Sequence, residues 1–136
     1  MIKIYRHREG RQDDYVGRIE AENGRVYHER TGLDEYIGRI EYDEGKIYAH
    51  RRGPDEYLGR VDDEGHIYAH KFGPDEYLGR VEADGKIYRH VARGHDEYLG
   101  QVDNMHHLAD GAAAFFFFFH KTDTDDSKKQ DDKPNA

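Results

Sequence analysis

Tyr57-Leu58-Gly59-Arg60-Val61-Asp62-Asp63-Glu64-Gly65-His66-Ile67-Tyr68-Ala69-His70 is the stretch that decides the fold. Two short halves alternate apolar and polar residues, are rich in β-branched and aromatic side chains, and are split by a glycine-ended acidic tripeptide. That is the pattern of a β-hairpin. Setting Val61 opposite Ile67 places Arg60 against Tyr68, Gly59 against Ala69 and Leu58 against His70. The connection is then Asp63-Glu64-Gly65, whose glycine can take the left-handed position of a three-residue loop. Alternation puts Tyr57, Gly59, Val61, Ile67 and Ala69 on one face. Leu58, Arg60, Asp62, His66, Tyr68 and His70 fall on the other. The first face, β-branched and uncharged in this copy, is the expected interior, although Arg6, His28 and Arg89 stand where Ala69 does.

The stretch is one copy of a repeat. Gly-Arg-(Ile/Val)-(Glu/Asp) begins at Gly17, Gly38, Gly59 and Gly79, and Gly100-Gln101-Val102-Asp103 begins a fifth copy. Pairing Ile40 with Ile47 by the same rule gives a four-residue loop, Tyr42-Asp43-Glu44-Gly45, so the length difference between copies falls in the loop and spares the ladder. At the start, Lys3-Ile4-Tyr5-Arg6-His7 matches Lys86-Ile87-Tyr88-Arg89-His90, a second half without its first, while the fifth copy is a first half without its second. Pairing the two completes a fifth hairpin and removes both sheet edges, which otherwise invite aggregation. The expected fold is all-β: five hairpins closed into a shallow barrel of about ten strands, with a short apolar C-terminal helix. Residues 1–119 form this barrel and its apolar segment; residues 120–136, polar and aperiodic, are expected to be a disordered tail.

Composition narrows the function. Of the 136 residues 35% are hydrophobic and 37% charged, so a core shared between copies is economical. A net charge of −8 argues against nucleic acid, whose binders cluster Lys and Arg. Without cysteine there is no disulfide, thiolate metal site or thiol nucleophile. The only serine is Ser127, and the threonines are Thr31, Thr122 and Thr124, so no nucleophile sits on a rigid element and an enzyme is not expected. The first residues lack the apolar core of a signal peptide, which makes the cytoplasm the default location.

The repeat resembles that of the β-flower proteins, a mostly bacterial family whose copies read much like Gly-Arg-Val-Asp-x-x-Gly-x-Ile-Tyr. The likeness covers roughly Tyr5 to Phe119 and includes the Gly-Ala-Ala-then-apolar ending at Gly111 to Phe119. It implies a shallow barrel of hairpin petals with four- or five-fold pseudo-symmetry, and it implies no reaction and no catalytic residues. The phenylalanine run and the long Asp-Glu-Tyr connectors depart from the family pattern.

Three rings of side chains are candidates for chemistry. Acidic pairs, Asp13-Asp14, Asp34-Glu35, Asp55-Glu56, Asp75-Glu76 and Asp96-Glu97, line one rim and offer oxygen ligands to a hard cation, or simply a solvated edge. His7, Glu29, His50, His70 and His90 each follow the repeat tyrosine by two and form a second ring. Imidazoles suit a borderline metal, yet in this register they point outward at strand ends and cannot converge. Stacking on neighbours is the alternative, and they make the surface charge sensitive near pH 6. Arg18, Arg39, Arg60 and Arg80 lie across the ladder from tyrosines, a cation–π pairing in sheets, with anion binding as the functional alternative.

Leu108 to Phe119 has no polar face apart from Asp110 and must be buried in protein or lipid. As a helix it spans about 18 Å, short of the roughly 30 Å of a hydrocarbon core, so no transmembrane span is expected. A five-residue strand is about 17 Å long, so Phe115, Phe116, Phe117, Phe118 and Phe119 fit as a plug inside the barrel. Contact with a membrane surface and an oligomer interface are the alternatives. The expected function is a non-catalytic binding or scaffolding module with a protein or lipid partner and no cofactor; a cation-binding protein using the His and carboxylate rings is the second reading.

Overall fold

The computed structural model describes residues 1–31 and 33–120, so the expected tail from Lys121 onward lies outside the described residues. Ten strands follow in chain order: β1 (Ile2–Arg6), β2 (Asp14–Glu20), β3 (Arg25–Arg30), β4 (Leu33–Glu41) and β5 (Lys46–Ala49). Then come β6 (Glu56–Val61), β7 (His66–Ala69), β8 (Glu76–Val81), β9 (Lys86–Arg89) and β10 (Glu97–Asp103). An α-helix, α1 (Leu108–Ala114), runs directly into a π-helix (Phe115–Phe119). Every strand is antiparallel to its neighbours, and β1 pairs with β10 through Ile4 opposite Val102, closing the barrel. The hairpin register is the one read from the sequence: Gly59 faces Ala69, Arg60 faces Tyr68 and Val61 faces Ile67.

Backbone hydrogen bonds secure the hairpins at both ends, and at the loop end they join one hairpin to the next. The loop glycine Gly65 has φ 92°, and its carbonyl accepts from the Val81 amide of the next hairpin at 2.9 Å. A Cβ there would be strained by the dihedral and would strike the Val81 carbonyl as well. At the other end each hairpin extends its own ladder: the His70 amide donates to Leu58 O, and His7, His50 and His90 repeat the bond with Leu99, Ile37 and Leu78.

Between hairpins the ladder slips by one residue at the same place five times, passing over Val16, Ile37, Leu58, Leu78 and Leu99. Each slip is a β-bulge, and the extra residue inverts the alternation beyond it. The sequence expectation is therefore reversed at two positions. Tyr57 turns outward, where its ring meets Tyr48 at 5.4 Å, and Leu58 packs against the core. The same inversion forms the pairs Tyr5–Tyr15, Tyr27–Tyr36, Tyr68–Tyr77 and Tyr88–Tyr98 at 5.5–5.8 Å. Inside, Ile2, Ile4, Ile19, Ile47, Ile67 and Ile87 are fully buried.

The barrel is filled along its axis. Ala112, Ala113, Ala114 and Phe115 are completely buried, and α1 touches β4, β5, β6, β8 and β10. Each phenylalanine then meets the repeat glycine of a different hairpin: Phe115 with Gly79, Phe116 with Gly59, Phe117 with Gly38, Phe118 with Gly17 and Phe119 with Gly100. A methyl group built on Gly59 would lie 2.5 Å from Phe116 Cζ, and one on Gly100 would lie 2.8 Å from Phe119 Cζ. The glycines are therefore sockets for the rings. This matching explains the π-helix. An α-helix turns by about 100° per residue. Five sockets in a ring ask for about 72°, and only the wider i→i+5 winding approaches that step. The winding is closed by His120 N–H donating to Phe115 O at 2.8 Å. A twelve-residue α-helix, the sequence expectation, is corrected to an α-helix that widens where the phenylalanines begin.

Candidate docking surface at the connector end

The barrel has two unlike ends. Hairpin loops crowd the end where α1 starts; the connectors between hairpins surround the end where the phenylalanines finish. The connector end gathers every candidate residue named from the sequence.

The ten carboxylates of its acidic pairs are all partnered. The first of each acidic pair accepts from the arginine of the hairpin before it: Arg18 to Asp34 at 2.7 Å, Arg39 to Asp55 at 2.9 Å, Arg60 to Asp75 at 3.0 Å, and Arg80 to Asp96. Those guanidinium groups lie 4.2–4.5 Å over the rings of Tyr27, Tyr48, Tyr68 and Tyr88. The fifth copy has Gln101 in the arginine position, and Asp13 is met by His7 and the Arg8 amide. The second carboxylates pair within their own connectors, Arg8 with Asp14, Arg30 with Glu35, Arg51 with Glu56, Lys71 with Glu76 and Arg89 with Glu97. The hydrogen bond from Arg39 holds the Asp55 carboxyl below its ordinary range, and Arg8 does the same for Asp14.

The histidine ring does not converge. His7, His50, His70 and His90 pack at a tilt against Tyr98, Tyr36, Tyr57 and Tyr77, with ring centroids 4.6–4.9 Å apart. Their Nδ1 atoms lie 3.3–3.8 Å from Asp13, Asp55, Asp75 and Asp96. Glu29 sits on β3 opposite Asp34. Among the described residues no group of three or more His, Asp or Glu is placed to share a metal ion.

Within this rim lie the ends of the phenylalanine spokes. Phe116, Phe117 and Phe119 are half-buried, while Phe115 and Phe118 are covered. The three charged residues at the Ala69 position serve this end: Arg6 donates to Phe118 O at 2.6 Å, His28 stacks on Phe118, and Arg89 pairs with Glu97. A recess of about 700 Å³ opens beside the seam of β1 and β10, floored by Phe117, Phe118 and Phe119 and walled by Arg8, Glu97 and Tyr98.

Two sets of residues escaped the sequence reading. The connector tips Phe72 and Leu33 are 109% and 79% exposed, and Val91 also reaches solvent. They carry no periodicity and became visible only once the connectors were seen to share one end. The second set is internal. Asp110, fully buried, accepts from Tyr42 Oη at 2.6 Å and from the amides of His106 and His107 at 3.0 Å. Burial and this bond raise the Tyr42 pKa and keep the phenol protonated. The signal was present: Tyr42 is the residue that lengthens one loop, and Asp110 is the lone acid in an apolar segment.

The chain matches no protein-family model, no curated protein and no solved structure in these comparisons. Among the described residues no helix is long and apolar enough to cross a membrane.

Proposed function

We propose that the chain is a non-catalytic docking module that engages its partner through the connector end. One observation carries this reading. The interior is occupied by the phenylalanine spokes, and the apolar connector tips Leu33, Phe72 and Val91 stand out at the end where Phe117 and Phe119 approach solvent. Apolar groups gathered on one face and rimmed by polar residues mark interaction sites. The paired carboxylates and the imidazoles packed against tyrosines beside them stiffen the rim around that surface. A ring of hairpin petals around an apolar helix also supports kinship with the β-flower proteins.

Hydrogen exchange with and without micelles of a zwitterionic detergent tests the assignment of the surface. Protection is expected to rise in residues 8–12, 70–74 and 91–95, with the loops 43–45 and 63–65 unchanged. Protection at the hairpin loops, or none anywhere, overturns it.

A further inference from the structure

Resting on that reading, we infer that the partner is an anionic lipid surface and that acidification switches the connector end on. The argument begins with where charge lies. The five hairpin loops (20–25, 41–46, 62–66, 82–86 and 103–107) hold eleven carboxylates against three Lys or Arg, a net −8. The connector end (6–14, 28–35, 49–56, 69–76 and 89–97) holds twelve carboxylates against nine Lys or Arg, a net −3 at neutral pH. It also holds His7, His28, His50, His70, His90 and His95, and His120 follows the last spoke. Histidine is the side chain that ordinarily changes charge between about pH 5 and pH 8. Protonating these seven carries the connector end from −3 to +4, while the loop end, with His66, His106 and His107, stays at −5. The molecule then presents one cationic, apolar-tipped end and one anionic end, an oriented match for a negative bilayer.

Local geometry sets these imidazoles among charged and aromatic partners. Each of the four imidazoles packed against a tyrosine faces a carboxylate: His7 faces Asp13 and Glu9, His50 faces Asp55, His70 faces Asp75 and His90 faces Asp96. The cations that share those carboxylates, Arg39, Arg60 and Arg80, approach from the other side of the aspartate. His28 and His120 lie on the faces of Phe118 and Phe115. At the tips, Arg11, Arg52 and Arg93 are exposed. They sit in connectors of the end that carries Leu33, Phe72 and Val91, as a bilayer requires: cations for headgroups, apolar tips for the interfacial layer.

Co-sedimentation of the full chain with vesicles tests this, using phosphatidylcholine alone or with a minority of phosphatidylserine, at about pH 5.5 and about pH 7.5. The acidic shift is expected to raise binding to the phosphatidylserine vesicles by about tenfold or more, and added salt to reduce it. Arg11→Glu with Arg52→Glu and Arg93→Glu, all on exposed tips, should abolish binding, whereas Asp63→Asn at the loop end should not change it. Equal binding at both pH values, or equal binding to both vesicles, overturns the inference while leaving a connector-end docking surface standing if the micelle footprint holds. Acid-induced self-association without vesicles overturns it in favour of a second copy as the partner. Binding retained by the triple variant places the contact elsewhere and overturns both.

Discussion

The two faces of the barrel wall are built from alternate residues of the same repeat, yet they hold together by opposite means. Inside, a glycine admits a phenyl ring and the contact is close-packed, dry and shape-dependent. Outside, arginine, tyrosine, histidine and aspartate form a half-exposed belt in which each member touches two or three others. Interiors of the first kind respond steeply to a change of one methyl group, whereas exposed ion pairs contribute little individually. The repeat thus concentrates stability on its inner face and leaves the outer face free to vary in charge.

The largest effect that would sharpen this contrast is Phe115→Ala. The ring is fully buried, and truncation is expected to cost about 3–5 kcal/mol, read from urea denaturation. Next, Tyr42→Phe removes the only side-chain donor to the buried Asp110 among the described residues. A loss of about 1.5–3 kcal/mol is expected, with the fold retained. Gly59→Ala pushes a methyl group into Phe116 and into the Tyr68 carbonyl and should cost about 1–3 kcal/mol, part of it recovered by Phe116→Leu. Gly53→Ala, on a connector with nothing within 4 Å, is the matched control, with a melting temperature close to that of the parent. If the two glycines respond alike, the socket description fails.

The outer face should move less. Gln101→Arg restores the missing member of the belt opposite Asp13 and is expected to stabilise by a few tenths to about 1 kcal/mol. The belt also sets the acid limit. Asp14, Glu20, Asp55 and Asp62 are held below their ordinary pKa, so their contribution is complete above the unfolded carboxylate range and is lost as pH falls through the lower folded values. The urea midpoint should owe no decline to these four between pH 7 and about pH 5, and should drop below about pH 4. A midpoint unchanged down to about pH 2 would show that these pairs contribute nothing.

What the sequence disclosed and what it withheld divide along the same wall. Register and closure were legible because Val61 and Ile67 fix the pairing, and because β1 and β10 are complementary halves of one copy. The bulge was not, because Tyr57 and Leu58 are both apolar and alternation cannot tell which of two such neighbours is the extra one. The π-helix was hidden for a related reason. Five identical residues have no periodicity of their own, and their winding is imposed by sockets contributed by five separate hairpins. In the candidate surface, the acidic and histidine rings could be listed from spacing alone. Their neutralisation could not, since each belt arginine reaches a carboxylate 15 or 16 residues away in the next connector.

The one-ring-per-glycine matching also bears on how such a chain can evolve. An open solenoid can gain or lose a copy by unequal recombination, because each copy meets only its neighbours. Here every copy also engages the same central axle, whose step per residue is set by the number of copies. A duplicated hairpin would arrive without a spoke and with the angle wrong for the other five. Copy number and axle winding are therefore inherited together, and lineages that changed one without the other would lose both.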